Sequence, residues 1–149
     1  MNLSRKSTRQ AFTLVEVLIS MTIAAMTIGA IATGFAASAV RAEWSGYSLA
    51  AHRLALQGLE QTRAAKWDPS AYPPIDHITA ADFPPTLHTL DIPVSGGNPT
   101  WATNTFSISM VSTNPALKLI RVDCTWAFAT GRRAGLFTNT VSTLRAPDQ

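Results

Sequence analysis

Glu16 is the residue whose type and position point most directly to chemistry. From Phe12 to Val40 it is the only ionisable side chain, and residues 1–11 contain three basic residues and no acidic one. A helix from Phe12 to Val40 would measure roughly 43 Å, more than the ~30 Å of a bilayer hydrocarbon core. The pattern predicts a membrane-spanning helix whose basic flank lies on the cytoplasmic side.

A carboxylate in such a helix is energetically unfavourable. It costs roughly 2.5–3.5 kcal/mol at the bilayer centre and less near the interface. Because a favourable interaction must offset that cost, Glu16 is a candidate functional residue.

Residues 1–11 are a short basic leader that ends in the small residue Ala11. The leader is followed by the sequence FTLVEVLIS (residues 12–20) and a long apolar run. This arrangement resembles the prepilin signal of type IV pilins and type II secretion pseudopilins. The resemblance implies that a prepilin peptidase cuts between Ala11 and Phe12, and that the new amine of Phe12 is methylated. It also implies that Glu16 helps subunits dock into a filament, as a partner of the N-terminal amine. This family usually has Gly before the cut. Ala is the next smallest residue, so we expect cleavage there as well.

An ordinary secretory signal peptide is an alternative interpretation of the same region. Arg5, Lys6 and Arg9 would form its charged part, and Ala37–Ala39 offers a small-residue cleavage site. Against this, a secretory apolar region has about 7–15 residues, and this run is nearly twice as long. The mature N-terminus distinguishes the two interpretations.

The charge balance argues against nucleic-acid binding. The whole chain has 12 basic and 9 acidic residues, and loss of residues 1–11 removes three basic ones, which leaves the mature chain formally neutral. The basic isoelectric point is therefore largely a feature of the leader. The single Cys124 excludes an internal disulfide and any multi-cysteine metal site.

The helical pattern continues beyond the apolar run. Apolar or small residues recur at spacings of three and four, and charged or polar residues occupy the other side. The stripe consists of Trp44, Tyr47, Ala51, Leu54, Ala55, Gly58 and Leu59. We expect one helix from about Phe12 to about Trp67, with residues 12–40 in the membrane or filament core and residues 41–67 amphipathic. Trp44 and Tyr47 also suit a membrane interface.

Residues 68–149 are expected to form a loop followed by an antiparallel sheet. Five prolines between residues 68 and 86 predict an extended connection. Residues 88–94, 106–110 and 120–128 then alternate apolar with polar or small side chains, as strands do. Turns are predicted at 95–100, 114–115 and 131–135, with a last strand at 136–144.

The expected fold class is α+β, with a pilin-like long helix packed on a small antiparallel sheet. The end of the chain is similar to minor pseudopilins and minor pilins of the I and V types. That resemblance rests on Val122, Cys124 and Trp126, then Gly131, then the Thr- and Leu-rich strand at 136–144.

Motifs for catalysis or cofactor binding are not found in the sequence. It has no phosphate-binding loop, HExxH or G-x-S-x-G motif. We expect no enzyme, no cofactor and no metal, and we interpret Asp76, His77 and Asp82 as solvated loop groups. Cys124 is expected to be a buried, inert thiol, and the pair Arg132–Arg133 a solvated turn.

Together the two resemblances imply a minor pseudopilin of a type II secretion pseudopilus, with a minor type IV pilin of a motility, adhesion or DNA-uptake pilus as the alternative. Expected partners are prepilin peptidase, other pilin or pseudopilin subunits, the inner-membrane assembly platform and the lipid bilayer, without nucleic acid. The expected location is the bacterial inner membrane, single-pass, with the C-terminal domain periplasmic, and then a filament.

Overall fold

The computed structural model describes residues 12–91, 98–130 and 133–148. The chain forms two compact units, Met1–Arg41 and Ala42–Gln149. Within the described residues, one helix is followed by six strands: α1 (Leu14–Ala64), β1 (Trp67–Asp68), β2 (Ile75–Asp76), β3 (Thr86–Asp91), β4 (Thr100–Thr113), β5 (Ala116–Thr130) and β6 (Arg133–Arg145).

Helix α1 runs for 51 residues because no proline occurs in it, and it ends before Pro69. Arg63 lies in its last turn, where a cation interacts favourably with the helix dipole. Within the described residues it is the one helix long and apolar enough to cross a membrane. Its residues from Leu14 to Gly46 are all exposed.

Strands β3, β4, β5 and β6 form one antiparallel sheet in chain order. Neighbouring strands are consecutive in sequence, and the turn Asn114–Pro115 connects β4 to β5 as predicted. The short strands β1 and β2 form a separate ribbon, in which Trp67 pairs with Asp76. The expected α+β layout of one long helix on antiparallel strands, which is pilin-like, is confirmed.

The core lies between the second half of α1 and one face of the sheet. Helix residues Ala51, Ala55 and Leu59 are buried there. The predicted alternation along β5 is correct, since five of its side chains are buried on this face: Ile120, Val122, Cys124, Trp126 and Phe128. Burial of an apolar face on each element is what holds the helix to the sheet.

Strands β4, β5 and β6 are each longer than the sequence pattern predicted. β6 begins at Arg133, so Ala134 and Gly135 pair with Ala129 and Phe128 instead of forming a turn. Glycine suits position 135 of this strand because the Phe137 ring lies 3.1 Å from the position that a Cβ would take, so a larger residue would be crowded there. β4 begins at Thr100, before the predicted start, and its inward-facing side chains include the polar Asn104.

The proline-rich segment is also more ordered than a plain connecting loop, because β1 and β2 lie at its start. Several predicted features lie outside the described residues: the leader with Ala11, the strand residues Ile92 and Val94, most of the turn at 95–100, and Gly131–Arg132.

Candidate assembly site on the N-terminal helix

Glu16 lies in the first turn of α1, near the positive end of the helix dipole. Its backbone N–H donates to the hydroxyl of Thr13 at 3.3 Å, so Thr13 caps the helix. The spacing Thr13 to Glu16 is that of a capping box, a local role that the sequence reasoning missed. The carboxylate of Glu16 has no hydrogen bond or ion pair within the described part of the chain. Glu16 is exposed and available to a partner.

Phe12 precedes the helix and is 78% exposed. It lies four residues before Glu16, which corresponds to about one helical turn along the chain. Ala11, the other half of the predicted cleavage site, lies outside the described residues. The structure therefore places Phe12 and Glu16 at the same end of α1, and cleavage after Ala11 stays a prediction.

The hydroxyl groups of the apolar half of α1 are satisfied within the helix. Ser20 donates to the carbonyl oxygen of Glu16 at 2.8 Å, and the same bond to the residue four positions earlier is made by Thr22, Thr27, Thr33 and Ser38. A hydroxyl that bonds to its own helix loses little when it leaves water. These side chains therefore fit an apolar environment, whereas the carboxylate of Glu16 still needs a partner.

Space for a neighbouring helix is present beside Gly29 and Gly34. A Cβ at either position would meet nothing within 4 Å. Small residues allow close helix approach where packing drives association. The large apolar side chains nearby are exposed as well, for example Met26 at 71% and Ile28 at 68%. This surface can pack against lipid or against other helices.

The second half of α1 is attached to the sheet by a close approach at Gly58. A Cβ there would lie 3.1 Å from the Phe106 ring. The side-chain amide of Asn104, 2% exposed, donates to the carbonyl oxygen of Leu54 at 2.9 Å. The Gly58 position in the helical stripe was predicted, but the buried amide opposite it was not.

An aromatic cluster joins the helix to β5 and β6. Trp44 and Tyr47 of α1 pack around Trp126, with ring centroids 6.2 and 6.0 Å away, and Phe128 and Phe137 complete the cluster. Burial, followed by the hydrogen bond to Asp91, raises the pKa of the Tyr47 hydroxyl. Trp44 was predicted as both a core and an interface residue, and it is packed while still 39% exposed.

A chain of hydrogen bonds connects the same three elements, α1, β5 and β6. The indole N–H of Trp126 donates to the side-chain oxygen of Asn139 at 2.8 Å, and the Asn139 amide donates to the hydroxyl of Ser48 at 3.1 Å. Sequence reasoning missed Asn139, which reads as an ordinary polar residue of a Thr-rich strand. The inward direction of every second residue along β6 could have indicated it.

Charged groups hold the segment that follows the helix against β5 and the C-terminal tail. Lys118 on β5, almost fully buried, binds Asp76 and the carbonyl oxygen of Ile78, and its ammonium lies 4.8 Å from the centre of the Trp67 ring. The tail residue Asp148 accepts the backbone N–H of Trp67 at 2.9 Å. Asp76, interpreted from the sequence as a solvated group, is partly exposed to solvent and also forms an ion pair with Lys118.

The described residues also bear on metal binding and on the reactivity of the single thiol. No group of three or more His, Cys, Asp or Glu side chains that could hold a metal ion occurs within 12–91, 98–130 and 133–148. Cys124 is fully buried, and burial raises the pKa of its thiol to about 11. A protonated thiol is a poor nucleophile and a poor metal ligand.

A long helix with a capped acidic first turn, whose second half packs on an antiparallel sheet, is a type IV pilin-like layout. A comparison with known families agrees: the prokaryotic N-terminal methylation motif matches residues 6–32. The match covers the end of the leader and the first part of α1, so it marks the chain as a prepilin-type substrate that assembles with other pilin subunits. Curated proteins and solved structures gave no match to this chain.

Proposed function

We propose that this chain is a minor pseudopilin, a structural subunit of a type II secretion pseudopilus, with no enzymatic activity. The observation that carries the proposal is the isolated Glu16 in an apolar helix that bears the methylation motif. A minor type IV pilin is the alternative. The two share every step at the helix and differ in the machine that assembles them.

The precursor is inserted with residues 1–11 in the cytoplasm and Ala42–Gln149 in the periplasm. Prepilin peptidase then releases the leader and methylates the amine of Phe12. That amine is a cation beside apolar surface, and a carboxylate of Glu16, from the same or a neighbouring subunit, pairs with it. An unpaired charge in an apolar environment is far less stable than a paired one. Pairing therefore favours one axial register between subunits, on the assembly platform and in the filament.

The mass of the mature protein tests this proposal. Membrane-extracted chain is expected to lack residues 1–11 and to carry one additional methyl group. A chain that begins after about Ala39 would instead support the secreted-domain alternative, and a chain that retains Met1 would exclude processing. Either result would overturn the proposal, because the Phe12 amine would not exist.

The genes beside this one separate the two filament systems. A secretion ATPase and an outer-membrane secretin are expected for the pseudopilus, whereas a retraction motor or competence genes would favour the pilus. Deletion of the chain supplies the functional readout, since the first case predicts loss of protein secretion and the second predicts loss of pilus-dependent behaviour.

A further inference from the structure

The contact between the second half of α1 and the sheet is made largely by small helix residues. Ala51 and Ala55 are 0% exposed, and the buried Gly58 follows on the same side of the helix. These residues and the sheet on which they pack lie within the compact unit Ala42–Gln149. Small side chains project little, so they form only shallow ridges that could stop the helix from sliding along its axis. Other groups are therefore needed to fix the axial register of the helix on the sheet.

Asn104 is a polar side chain within this contact. It points inward from β4, is 2% exposed, and its amide N–H donates to the carbonyl oxygen of Leu54 at 2.9 Å. That carbonyl also accepts the ordinary helical bond from Gly58, so α1 does not need the amide in order to form. Within the described residues, Oδ1 of Asn104 is buried without a hydrogen-bond partner. A buried amide with an unpaired acceptor is less favourable to folding than an apolar side chain, so its presence calls for a reason other than stability.

The hydrogen bond of Asn104 requires a close approach that Gly58 permits and its neighbours one turn away do not. A Cβ on Gly58 would lie 3.1 Å from the Phe106 ring and 3.4 Å from the Asn104 side-chain nitrogen. If the helix slid by four residues, roughly 6 Å, Leu54 or Thr62 would take the place of Gly58. Either side chain would hold the helix away from β4, and the Asn104 amide would lose its only partner. A buried donor left unpaired raises the free energy of the shifted arrangements.

A second polar contact depends on the same register. The side-chain amide of Asn139 donates to the hydroxyl of Ser48 at 3.1 Å. A shift by four residues would place Trp44 or His52 opposite Asn139, and neither side chain carries a hydroxyl group. Ser48 lies ten residues before Gly58, roughly 15 Å along the helix. Two separate contacts therefore favour the same axial register.

We propose that Asn104 is a positioning residue that fixes the axial register of α1 on the sheet, at a cost in stability. In the observed register its amide donates one hydrogen bond, and in the shifted registers it donates none. An apolar residue of the same shape would stabilise every register and would not distinguish between them. The inference does not depend on the proposed function, because it concerns only residues of Ala42–Gln149.

The test replaces Asn104 by leucine, which has the same branched shape without the polar groups. The full chain in detergent is isotope-labelled at tryptophan, and its four indole N–H groups give one nuclear magnetic resonance signal each when a single register is populated. Trp44 and Trp126 lie at the contact between helix and sheet, so their signals report a shift of register. Trp101, 48% exposed on the opposite face of β4, is the internal reference.

The expected result for Asn104→Leu is a second indole signal for both Trp44 and Trp126, a single signal for Trp101, and a denaturation midpoint that is unchanged or higher. Single signals throughout would overturn the proposal, whatever the midpoint, because the register would then be fixed without the amide. A second signal for Trp101 as well would also contradict it, since that result would show a general loss of packing instead of a shifted helix.

Two further variants separate register from other effects of the substitution. Thr105→Leu changes the next residue of β4, which is exposed on the opposite face, and should keep one signal for every indole. A second signal in Thr105→Leu would assign the effect to the strand and not to Asn104. If leucine crowds Gly58 and lowers the midpoint, the shorter Asn104→Val is measured in the same way. Second signals for Trp44 and Trp126 alone in Asn104→Val would then support the register role, and single signals would exclude it.

Discussion

Lys118 Nζ lies 2.5 Å from Asp76 Oδ2, and the two partners differ in exposure: the side chain of Lys118 is 7% exposed and that of Asp76 is 42% exposed. The pair joins β5 to the proline-rich segment. Because Lys118 is buried and Asp76 is half exposed to water, loss of Asp76 and loss of Lys118 should have different effects on stability.

The first prediction follows from this asymmetry. Asp76→Ala strands a buried ammonium that keeps only the Ile78 carbonyl and the Trp67 ring, and we expect a loss of about 3 kcal/mol in the free energy of unfolding. Lys118→Met leaves a carboxylate that water can reach, and we expect a loss of about 1 kcal/mol. Denaturation of the full chain in detergent, followed by near-ultraviolet circular dichroism, measures both. Equal losses, or a larger loss for Lys118→Met, would refute the reasoning.

The second prediction concerns two glycines of α1. Gly58→Ala is expected to destabilise the fold by about 1 kcal/mol, because its Cβ would lie 3.1 Å from the Phe106 ring and 3.4 Å from the Asn104 amide. Gly46→Ala is the control: no atom lies within 4 Å of its Cβ, and alanine favours a helix by about 0.5–1 kcal/mol. Thermal unfolding of both variants gives the comparison. If both variants are stabilised, the sheet can accommodate a Cβ at position 58, and the predicted crowding is wrong.

The third prediction concerns the thiol of Cys124, whose pKa is raised from 9.0 to about 11 by burial. Iodoacetamide at pH 8 should leave the folded chain unmodified and should alkylate the urea-unfolded chain. An exposed thiol in Leu144→Cys, on the neighbouring strand, should react in the folded state. Rapid alkylation of Cys124 in the folded wild-type chain would show that the buried face of the sheet is accessible to solvent.

The same shift predicts a dependence of stability on pH. Between pH about 9 and about 11 the unfolded chain loses the Cys124 proton and the folded chain retains it. The unfolded state then binds fewer protons, so stability falls as the pH rises. The raised pKa of Tyr47 acts in the same direction. Denaturation midpoints across this range, compared with those of Cys124→Ala, should show a smaller decline in the variant.

The fourth prediction tests the assembly role of Glu16. Glu16→Ala should leave membrane insertion and leader cleavage intact and reduce the amount of chain in the sheared filament fraction. Glu60→Ala is the control, since Glu60 is an exposed surface residue paired with Arg63. If the two variants co-assemble equally well, the carboxylate of Glu16 has no role in assembly, and the residue contributes only the backbone N–H that Thr13 caps.

The sequence by itself determined the features that depend on local patterns. Three such patterns are visible in short stretches of sequence: the apolar run with its single Glu16, the helical stripe toward Leu59 and the alternation from Ile120 to Phe128. Burial of one face makes apolar residues recur with the period of the helix or the strand that carries them. The fold class and the motif at the N-terminus followed from these patterns.

Only the tertiary structure decided which polar residues are internal. Asn104, Asn139 and Lys118 read as ordinary strand residues, yet each binds a group 40 to 91 positions away in the chain. It also decided that Gly135 belongs to a strand, since the Phe137 ring requires the space. A partner distant in sequence leaves no local periodicity, so these contacts became visible only when the helix and the sheet were packed together.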